Sequence, residues 1–160
     1  MKKKTLLKML LDAITADLIK IQAAAQAAIE GATHEENRAE GNKDMRSTEA
    51  SYLARGQAMR VEELTETLNR LHHMPLNSFN ESTPVSAGAL VRLENTSGQQ
   101  LWYWVVTHGA GYELVYGDQV ITTITPRSPL GRELVERFLD DGVDLFIGGR
   151  HEHYEIVEII

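Results

Sequence analysis

Residues 7–28 read LKMLLDAITADLIKIQAAAQAA, and the spacing of their apolar side chains is the strongest structural signal in the chain. Intervals of four and three residues alternate along this stretch, which is the pattern of a coiled-coil seam. The seam positions are Leu7, Leu11, Ile14, Leu18, Ile21, Ala25 and Ala28. The same alternation returns further along the chain, at Ala50, Ala54, Gln57, Val61, Leu64, Leu68 and Leu71. The sequence therefore predicts two long helices that each carry one seam.

The two seams match each other as the arms of an antiparallel hairpin. When the first is paired with the second in reverse order, the partners' residue numbers add up to 78 or 79 throughout, which puts the apex at residue 39 or 40. Leucine then faces leucine at the base, and alanine faces alanine near the apex, where the helices can approach closely. About 30 residues separate base from apex, which at roughly 1.5 Å per residue predicts a hairpin on the order of 45 Å long with its least stable part at the far end.

The apex consists of the polar stretch His34–Arg46, HEENRAEGNKDMR. Its charged residues include Glu36, Glu40, Lys43, Asp44 and Arg46. One interpretation is a solvated polar turn. The other is a functional tip, because a connection of about two to eight residues would join two helices without so long an extension.

The composition is that of a folded, acidic protein. The chain has 160 residues, 42% of them hydrophobic, and a formal net charge of −7, which argues against non-specific binding of duplex nucleic acid through its phosphates. It has no cysteine, so disulfides, thiolate metal sites and cysteine nucleophiles are excluded, and a reducing cytoplasm fits. Lys8, Asp12 and Asp17 interrupt the apolar N-terminal run, so we expect an amphipathic helix there, and neither a signal peptide nor a membrane span.

The second half of the chain has strand-like patterns. Residues 75–84, PLNSFNESTP, have the composition of a linker. Beyond them, predicted strands alternate with turn signals at Thr96-Ser97-Gly98, Gly117-Asp118 and Gly148-Gly149. The strand segments are 89–95, 99–107, 112–115, 120–124, 143–147 and 153–160.

One short helix is predicted among these strands. Ser128-Pro129 has the residues of an N-cap followed by proline at the first helical position, and the helix is expected to run through about Phe138. The predicted fold class is therefore α+β. A coiled-coil hairpin covers residues 1–74, a linker covers 75–84, and a small, mostly antiparallel sheet with one helix covers 85–160.

Two other groups of residues are open to a functional interpretation. His151 and His153 share one face of a predicted strand, but a metal site needs more ligands than their spacing supplies, so surface or packing histidines are favoured. Trp102, Tyr103 and Trp104 could form a base-stacking platform or a prolyl isomerase pocket. Alternating aromatic residues on a strand more often fill the core of a sheet, which is the favoured interpretation.

The order of these parts, together with particular short motifs, resembles the bacterial Gre transcript-cleavage factors. The resemblance spans nearly the whole chain. Its most specific motif is Ser128-Pro129-Leu130-Gly131-Arg132, followed by Asp141-Gly142-Val143 and the closing Tyr154-Glu155-Ile156-Val157-Glu158-Ile159. Leu53-Ala54-Arg55-Gly56 in the second helix is also similar to this group.

The resemblance implies an accessory factor for RNA polymerase and not an enzyme. A C-terminal domain that is similar to the FKBP domain would dock on the rim of the polymerase secondary channel, with Arg127, Ser128 and Pro129 as the partner-binding residues. The coiled coil would enter the channel, where tip carboxylates help to hold the second catalytic Mg²⁺ and its water. The polymerase would then cut backtracked RNA. No cofactor is bound by the chain alone, since the Mg²⁺ is supplied at the polymerase active centre.

Within this resemblance the tip residues have particular roles. Glu40 matches the family's glutamate and is the expected Mg²⁺ ligand, and Glu36 and Asp44 complete the catalytic group. The basic residues expected near the phosphates of the nascent RNA are Lys43, Arg46, Arg55 and Arg60.

The tip also departs from the family pattern, and this leaves alternatives. Asn37 stands where cleavage-competent Gre factors carry an aspartate, and Gly41 stands where they carry an asparagine. One alternative is a factor that stimulates cleavage, with Glu36 or Asp44 in place of the missing carboxylate. Another is a secondary-channel regulator of the same fold without cleavage activity. The third is a coiled-coil module whose acidic tip binds an unrelated basic protein.

Two further expectations concern association. Arg127 replaces a short polar or acidic residue of the family pattern, which bears on the affinity for polymerase. The hairpin satisfies its own seam and needs no second chain, so we expect a monomer.

Overall fold

The computed structural model describes residues 1–36 and 43–160, with the backbone alone at residues 29, 31–36, 43–51 and 147. Its elements in chain order are α1 Lys3–Glu36, α2 Lys43–His72, β1 Leu90–Asn95, β2 Gln100–Val105, β3 Glu113–Tyr116, β4 Gln119–Ile124, α3 Pro129–Leu134, β5 Gly142–Ile147 and β6 Arg150–Ile159. The predicted α+β class, with a helical hairpin followed by a sheet that carries a short helix, is confirmed.

Contacts divide the chain into two compact units. One is the hairpin unit, Asp12–Asn69, and the other is the sheet unit, which combines Met1–Leu11 with Arg70–Ile160. This division by contacts is distinct from the domain boundaries at residues 74 and 85, which stay a prediction. Over the residues that the structure describes, no helix is apolar enough along its length to cross a membrane.

The hairpin unit is held by the seam that the sequence predicts. Ile14 is fully buried, and Leu64, its expected partner, is 3% exposed. Further toward the turn, Gln57 is half-buried and Ala54 is exposed. Burial therefore decreases along the seam as leucine gives way to alanine, because a smaller side chain removes less apolar area from water.

At the start of α1 the predicted seam is wrong by one position. Leu6 and Leu10 are fully buried, whereas the predicted Leu7 and Leu11 are half-buried. These first turns belong to the sheet unit and not to the hairpin unit. The heptad pattern assumes that a single partner helix decides which side chains are buried, and that assumption fails here.

The sheet has the strand order β3-β4-β2-β1-β6-β5, in which β2 and β4 run parallel and the other neighbours run antiparallel. The last predicted turn, Gly148-Gly149, connects Ile147 to Arg150, and these two residues pair with each other across it. Strand β6 therefore begins at Arg150 and not at His153 as predicted. Positive φ values, which glycine adopts without strain, occur in all three predicted turns, at Gly98, Gly117, Gly148 and Gly149.

The main core lies on one face of the sheet. It contains Val91, Leu93, Tyr103, Val105, Val143, Leu145, Tyr154 and Ile156 from the strands and Leu134 from α3. Strand β2 is buried on both of its faces, since Trp102 and Trp104, which alternate with Tyr103, are 8% and 0% exposed. The prediction that this aromatic strand fills the interior is confirmed.

Helix α3 is shorter than predicted. It ends at Leu134 and not near Phe138, because Val135 leaves the helical region with ψ 139°. The chain then pairs with a distant segment, in which Glu136 N–H donates to the Val85 carbonyl at 2.9 Å and Val85 N–H donates to the Arg137 carbonyl at 2.8 Å. A tertiary contact thus replaces the last helical turn.

The start of α1 is tied to the segment that follows α2. The Lys3 ammonium donates a hydrogen bond of 2.6 Å to the Asn77 carbonyl and lies 4.4 Å from the centroid of the Phe79 ring. Phe79 in turn packs against the main core. Burial lowers the pKa of Lys3 to about 8, even though the carbonyl and the ring both favour the charged form.

This lowered pKa predicts a pH dependence of stability. Because the folded-state pKa of Lys3 lies below the unfolded value of about 10.4, the unfolded chain binds more protons between about pH 8 and about pH 10.4. The contribution of Lys3 to the free energy of unfolding should therefore rise with pH across this window. We expect the stability of the wild type relative to Lys3→Met to increase from pH 8 to pH 10.4 in urea unfolding, with Lys4→Met as the control. A constant difference would contradict the lowered pKa.

Candidate functional site

The predicted tip lies partly outside the described residues. Helix α1 ends at Glu36 and helix α2 begins at Lys43, so residues 37–42 form the connection. The predicted tip residues that lie outside the described part are Asn37, Glu40 and Gly41. Those described by their backbone alone are Glu36, Lys43, Asp44 and Arg46. The helix ends thus place two carboxylate-bearing positions, Glu36 and Asp44, on either side of the connection.

Two of the predicted basic residues have described side chains, and both lie exposed on α2. Arg60 Nη1 is 3.0 Å from Glu63 Oε2, so its charge is partly neutralised within the chain. Arg55 lies one and a half turns closer to the tip. An interval of five residues separates the two arginines by about 140° around the helix axis. They therefore occupy different faces of α2 and do not form one basic patch.

The Ser128 turn is the second predicted site, and its geometry is set by a helix cap. Ser128 has extended backbone angles, and its hydroxyl accepts a hydrogen bond of 3.0 Å from Gly131 N–H and donates one of 2.7 Å to the Thr125 carbonyl. Arg127 and Pro129 are exposed, while Ser128 is half-buried. The turn therefore offers Arg127 and Pro129 to a partner, and the hydroxyl of Ser128 holds the turn in shape.

Gly131 has a structural role that sequence spacing did not reveal. A Cβ atom at this position would lie 1.9 Å from the Thr125 carbonyl oxygen and 2.9 Å from the Thr125 carbonyl carbon. The absence of a side chain is what lets α3 lie directly against the turn. The available signal was a glycine inside a predicted helix, which costs about 1 kcal/mol relative to alanine and so calls for a packing reason.

The histidine pair of β6 lies on one exposed face, as predicted. His153 Nδ1 is 2.8 Å from Asp144 Oδ1, and the His151 ring centroid is 4.9 Å from that of Phe146. Within the described ranges, no group of three or more side chains is arranged to hold a metal ion. The contacts of these histidines are those of surface residues.

A cleft of about 530 Å³ lies beside the end of β6. Its carboxylates are Glu81 and Glu158, and Glu158 already forms an ion pair of 2.9 Å with Arg92. The other lining residues are Asn80, Ser82, Leu139, Val157 and Ile159. The lining residues include no histidine, lysine or cysteine, and Glu158 is already paired with Arg92, so the cleft is not proposed as an active site.

The chain has distant similarity to several solved structures. No family model matches the chain, and no curated protein matches it. A structure of the transcription factor Gfh1 is 19% identical, with 95% of this chain and 94% of that chain covered and a TM-score of 0.43. The GreA factor homolog 1 (Gfh1) protein of Thermus thermophilus is 15% identical, with 94% of each chain covered and a TM-score of 0.40. The elongation factor GreA/GreB from Nitrosomonas europaea is 19% identical over 60% of this chain and 78% of that chain, with a TM-score of 0.36.

The Ser128 hydroxyl cap and the close approach of Gly131 to Thr125 predict different losses of stability when each is disrupted. Ser128→Ala removes one capping hydrogen bond and should lower the free energy of unfolding by about 1 kcal/mol. Gly131→Ala brings a methyl group against the Thr125 backbone and should cost more, about 2–3 kcal/mol. Chemical denaturation monitored by circular dichroism would measure both.

Gly56→Ala is the matched control for the glycine substitution. Gly56 lies within α2, and a Cβ there would meet no described atom within 4 Å. Alanine should therefore stabilise the protein by about 1 kcal/mol through helix propensity. A Gly131→Ala protein as stable as the wild type would contradict the close approach of α3 to Thr125.

Proposed function

We propose that the protein is a transcription elongation factor of the Gre type, which binds RNA polymerase and acts at its active centre through the tip of the hairpin. The observation that supports this most is the combination of two parts in one chain. The sequence between the two hairpin helices is rich in carboxylates, and a separate sheet unit carries the Ser128 turn with Arg127 and Pro129 exposed. Both parts are needed, because a ligand offered to another protein's catalytic metal must be held in place from elsewhere.

The chemistry that this function requires belongs to the polymerase. Hydrolysis of an RNA phosphodiester with two Mg²⁺ ions needs hard oxygen ligands, and a bound metal lowers the pKa of the attacking water. Glu40 is the residue proposed to offer a carboxylate to the second Mg²⁺, with Glu36 or Asp44 in place of the aspartate that Asn37 replaces. Glu36 is the last residue of α1. Helix α1 ends and helix α2 begins at the tip, so the partial charges of the two helix ends offset each other, and the attraction for a divalent cation must come from the carboxylates themselves.

Basic residues of α2 would face the phosphates of the extruded RNA. With a net charge of −7, the chain as a whole repels nucleic acid, so any contact with RNA must come from local positive groups. Lys43 and Arg46 follow the connection directly, and Arg55 is exposed further along the helix. Arg60 contributes less because it is already paired with Glu63.

The docking contact would be made by the Ser128 turn. Arg127 and Pro129 are its exposed members, and they sit on a backbone fixed by the Ser128 hydroxyl and by the close approach of Gly131. A turn that is rigid before binding loses little entropy on binding. The acting form in this proposal is one chain per polymerase, in the cytoplasm.

A second candidate is a secondary-channel regulator of the same fold that does not promote cleavage. The observation that favours it is Asn37, which leaves Glu40 as the one clearly retained carboxylate of the two that the family carries at the tip. Gly41, in place of an asparagine, is a second departure. The placement of a metal ligand tolerates errors of only about 0.5 Å, so a substitute carboxylate on a neighbouring turn need not serve.

Cleavage of backtracked RNA distinguishes the two candidates. In a backtracked elongation complex from the native host, the wild type should shorten the transcript in the presence of Mg²⁺. Glu40→Ala should slow this by about 10–100-fold, which is the usual effect of weakening a metal site. Asp44→Ala tests the substitute carboxylate, and Asp12→Ala, at the other end of the hairpin unit, is the control. If the protein competes with an authentic Gre factor for RNA polymerase but does not stimulate cleavage, the second candidate is favoured. A protein that neither stimulates cleavage nor competes would refute both.

Binding of the Ser128 turn to RNA polymerase can be tested separately from RNA cleavage. Arg127→Glu should weaken competition for RNA polymerase by about tenfold or more, since it reverses the charge of an exposed contact residue. Arg137→Glu, at another exposed arginine beyond α3, is the matched control and should have a smaller effect. Equal affinities for the two variants would place the docking surface elsewhere on the chain.

A further inference from the structure

The face of α2 opposite the seam carries large side chains that are exposed and lie away from the contact between the two helices. Tyr52 is 71% exposed and Met59 is 56% exposed. At 100° per residue they lie on one side of the helix, and the seam residues Gln57, Val61 and Leu64 lie on the other. We call this face the outer stripe, and its residues are Tyr52, Arg55, Gly56, Met59, Glu62 and Glu63.

Gly56 in the middle of the outer stripe has no explanation within the described part of the chain. Any other residue would find open space there, because a Cβ would meet no described atom within 4 Å. Glycine inside a helix is less favourable than alanine by about 1 kcal/mol. Gly56 therefore leaves a notch in the exposed surface of α2 that no described atom of the chain fills.

The outer stripe is complementary to itself when two copies of α2 cross in antiparallel directions. With the crossing point between Gly56 and Met59, the protruding Met59 of one copy faces the notch at Gly56 of the other. Arg55 of each copy then faces Glu62 of the other on the same flank of the contact, so opposite charges meet twice. A parallel crossing would place Met59 beside Met59 and would put the Arg55 and Glu62 side chains of the two copies on opposite flanks, so the charge pairing would be lost.

We propose that the outer stripe is a self-association surface, through which two copies of the chain form a two-fold symmetric dimer by crossed α2 helices. Glycine at a helix crossing lets the two backbones approach closely, which is the role that Gly56 lacks within its own chain. Arg55 and Glu62 are both exposed, and they supply the specific charge pairing.

The dimer should be weak. A crossing of two helices brings together only the few residues of the outer stripe on each copy, whereas stable complexes bury about 800 Å² on each partner. We expect a dissociation constant on the order of 100 μM and a decrease in association at high salt, because the ion pairs are at the rim of the contact. The inner seam still predicts a monomer at low concentration.

Self-association has a consequence that rests on the proposed function. Arg55, which that function directs toward RNA, would be covered in the dimer, and so would the face of α2 on either side of it. The dimer and the form that enters the polymerase channel would therefore exclude each other. Self-association itself does not depend on polymerase.

Sedimentation equilibrium over roughly 10–500 μM tests the proposal, because this range spans the expected dissociation constant. The mass of the wild type should rise from 17.9 kDa toward twice that value. Arg55→Glu and Glu62→Arg should each abolish the rise, since each sets like charges against one another. An equimolar mixture of the two variants should recover it, because every contact between unlike chains then pairs opposite charges.

Two further variants keep the result interpretable. Gly56→Leu fills the notch and should abolish association while raising the thermal midpoint of the monomer, so that loss of the dimer cannot be ascribed to unfolding. Lys20→Glu reverses an exposed charge on α1 and should leave the rise in mass unchanged.

Three outcomes would overturn the proposal. They are a wild-type mass of 17.9 kDa at every concentration, association that survives all outer-stripe variants, and a mixture of the charge-reversed variants that does not associate. Binding to polymerase is measured at nanomolar concentration, where the dimer is not populated. Failure of the proposed function would therefore be seen separately from failure of self-association.

Discussion

The graded apolar seam between α1 and α2 is the constraint on which the hairpin depends. Large side chains at one end, such as Ile14 and Leu64, bury enough area to hold the helices together, and the alanines at the other end contribute little. A hairpin stabilised from its base can carry a turn that adds nothing to folding. That freedom is what permits a polar, charged sequence at residues 34–46, where a stable core would demand apolar residues.

The sheet unit holds the short Ser128 turn in a fixed shape. Its main core lies against α3, and the Ser128 cap together with the close approach of Gly131 fixes the backbone from Thr125 to Gly131. Arg127 and Pro129 are displayed by this backbone. The same short motif therefore serves stability and, in the proposed function, recognition, and the two roles are divided between its buried and its exposed residues.

Helix α2 has two faces with different uses. Its inner face supplies Gln57, Val61 and Leu64 to the seam, and its outer face leaves Tyr52 and Met59 exposed. In a chain with a net charge of −7, the arginines of this helix are also among the few positive groups of the hairpin unit. A helix that only completed a hairpin would need neither the exposed apolar groups nor the glycine between them.

The sequence alone determined the features that depend on neighbouring residues. These are the two heptad helices, the three glycine turns, the proline-led start of α3 and the burial of the aromatic strand, and each is encoded by a local period or by the steric limits of one residue. The tertiary structure decided what depends on distant partners. Pairing with Val85 accompanies the end of α3 at Leu134, and the Thr125 carbonyl explains Gly131. Leu6 and Leu10, in the part of α1 that belongs to the sheet unit, are buried in place of Leu7 and Leu11. The roles proposed for Glu40 and its neighbours rest on the sequence alone, because a metal shared with another protein would leave no trace in the packing of this chain.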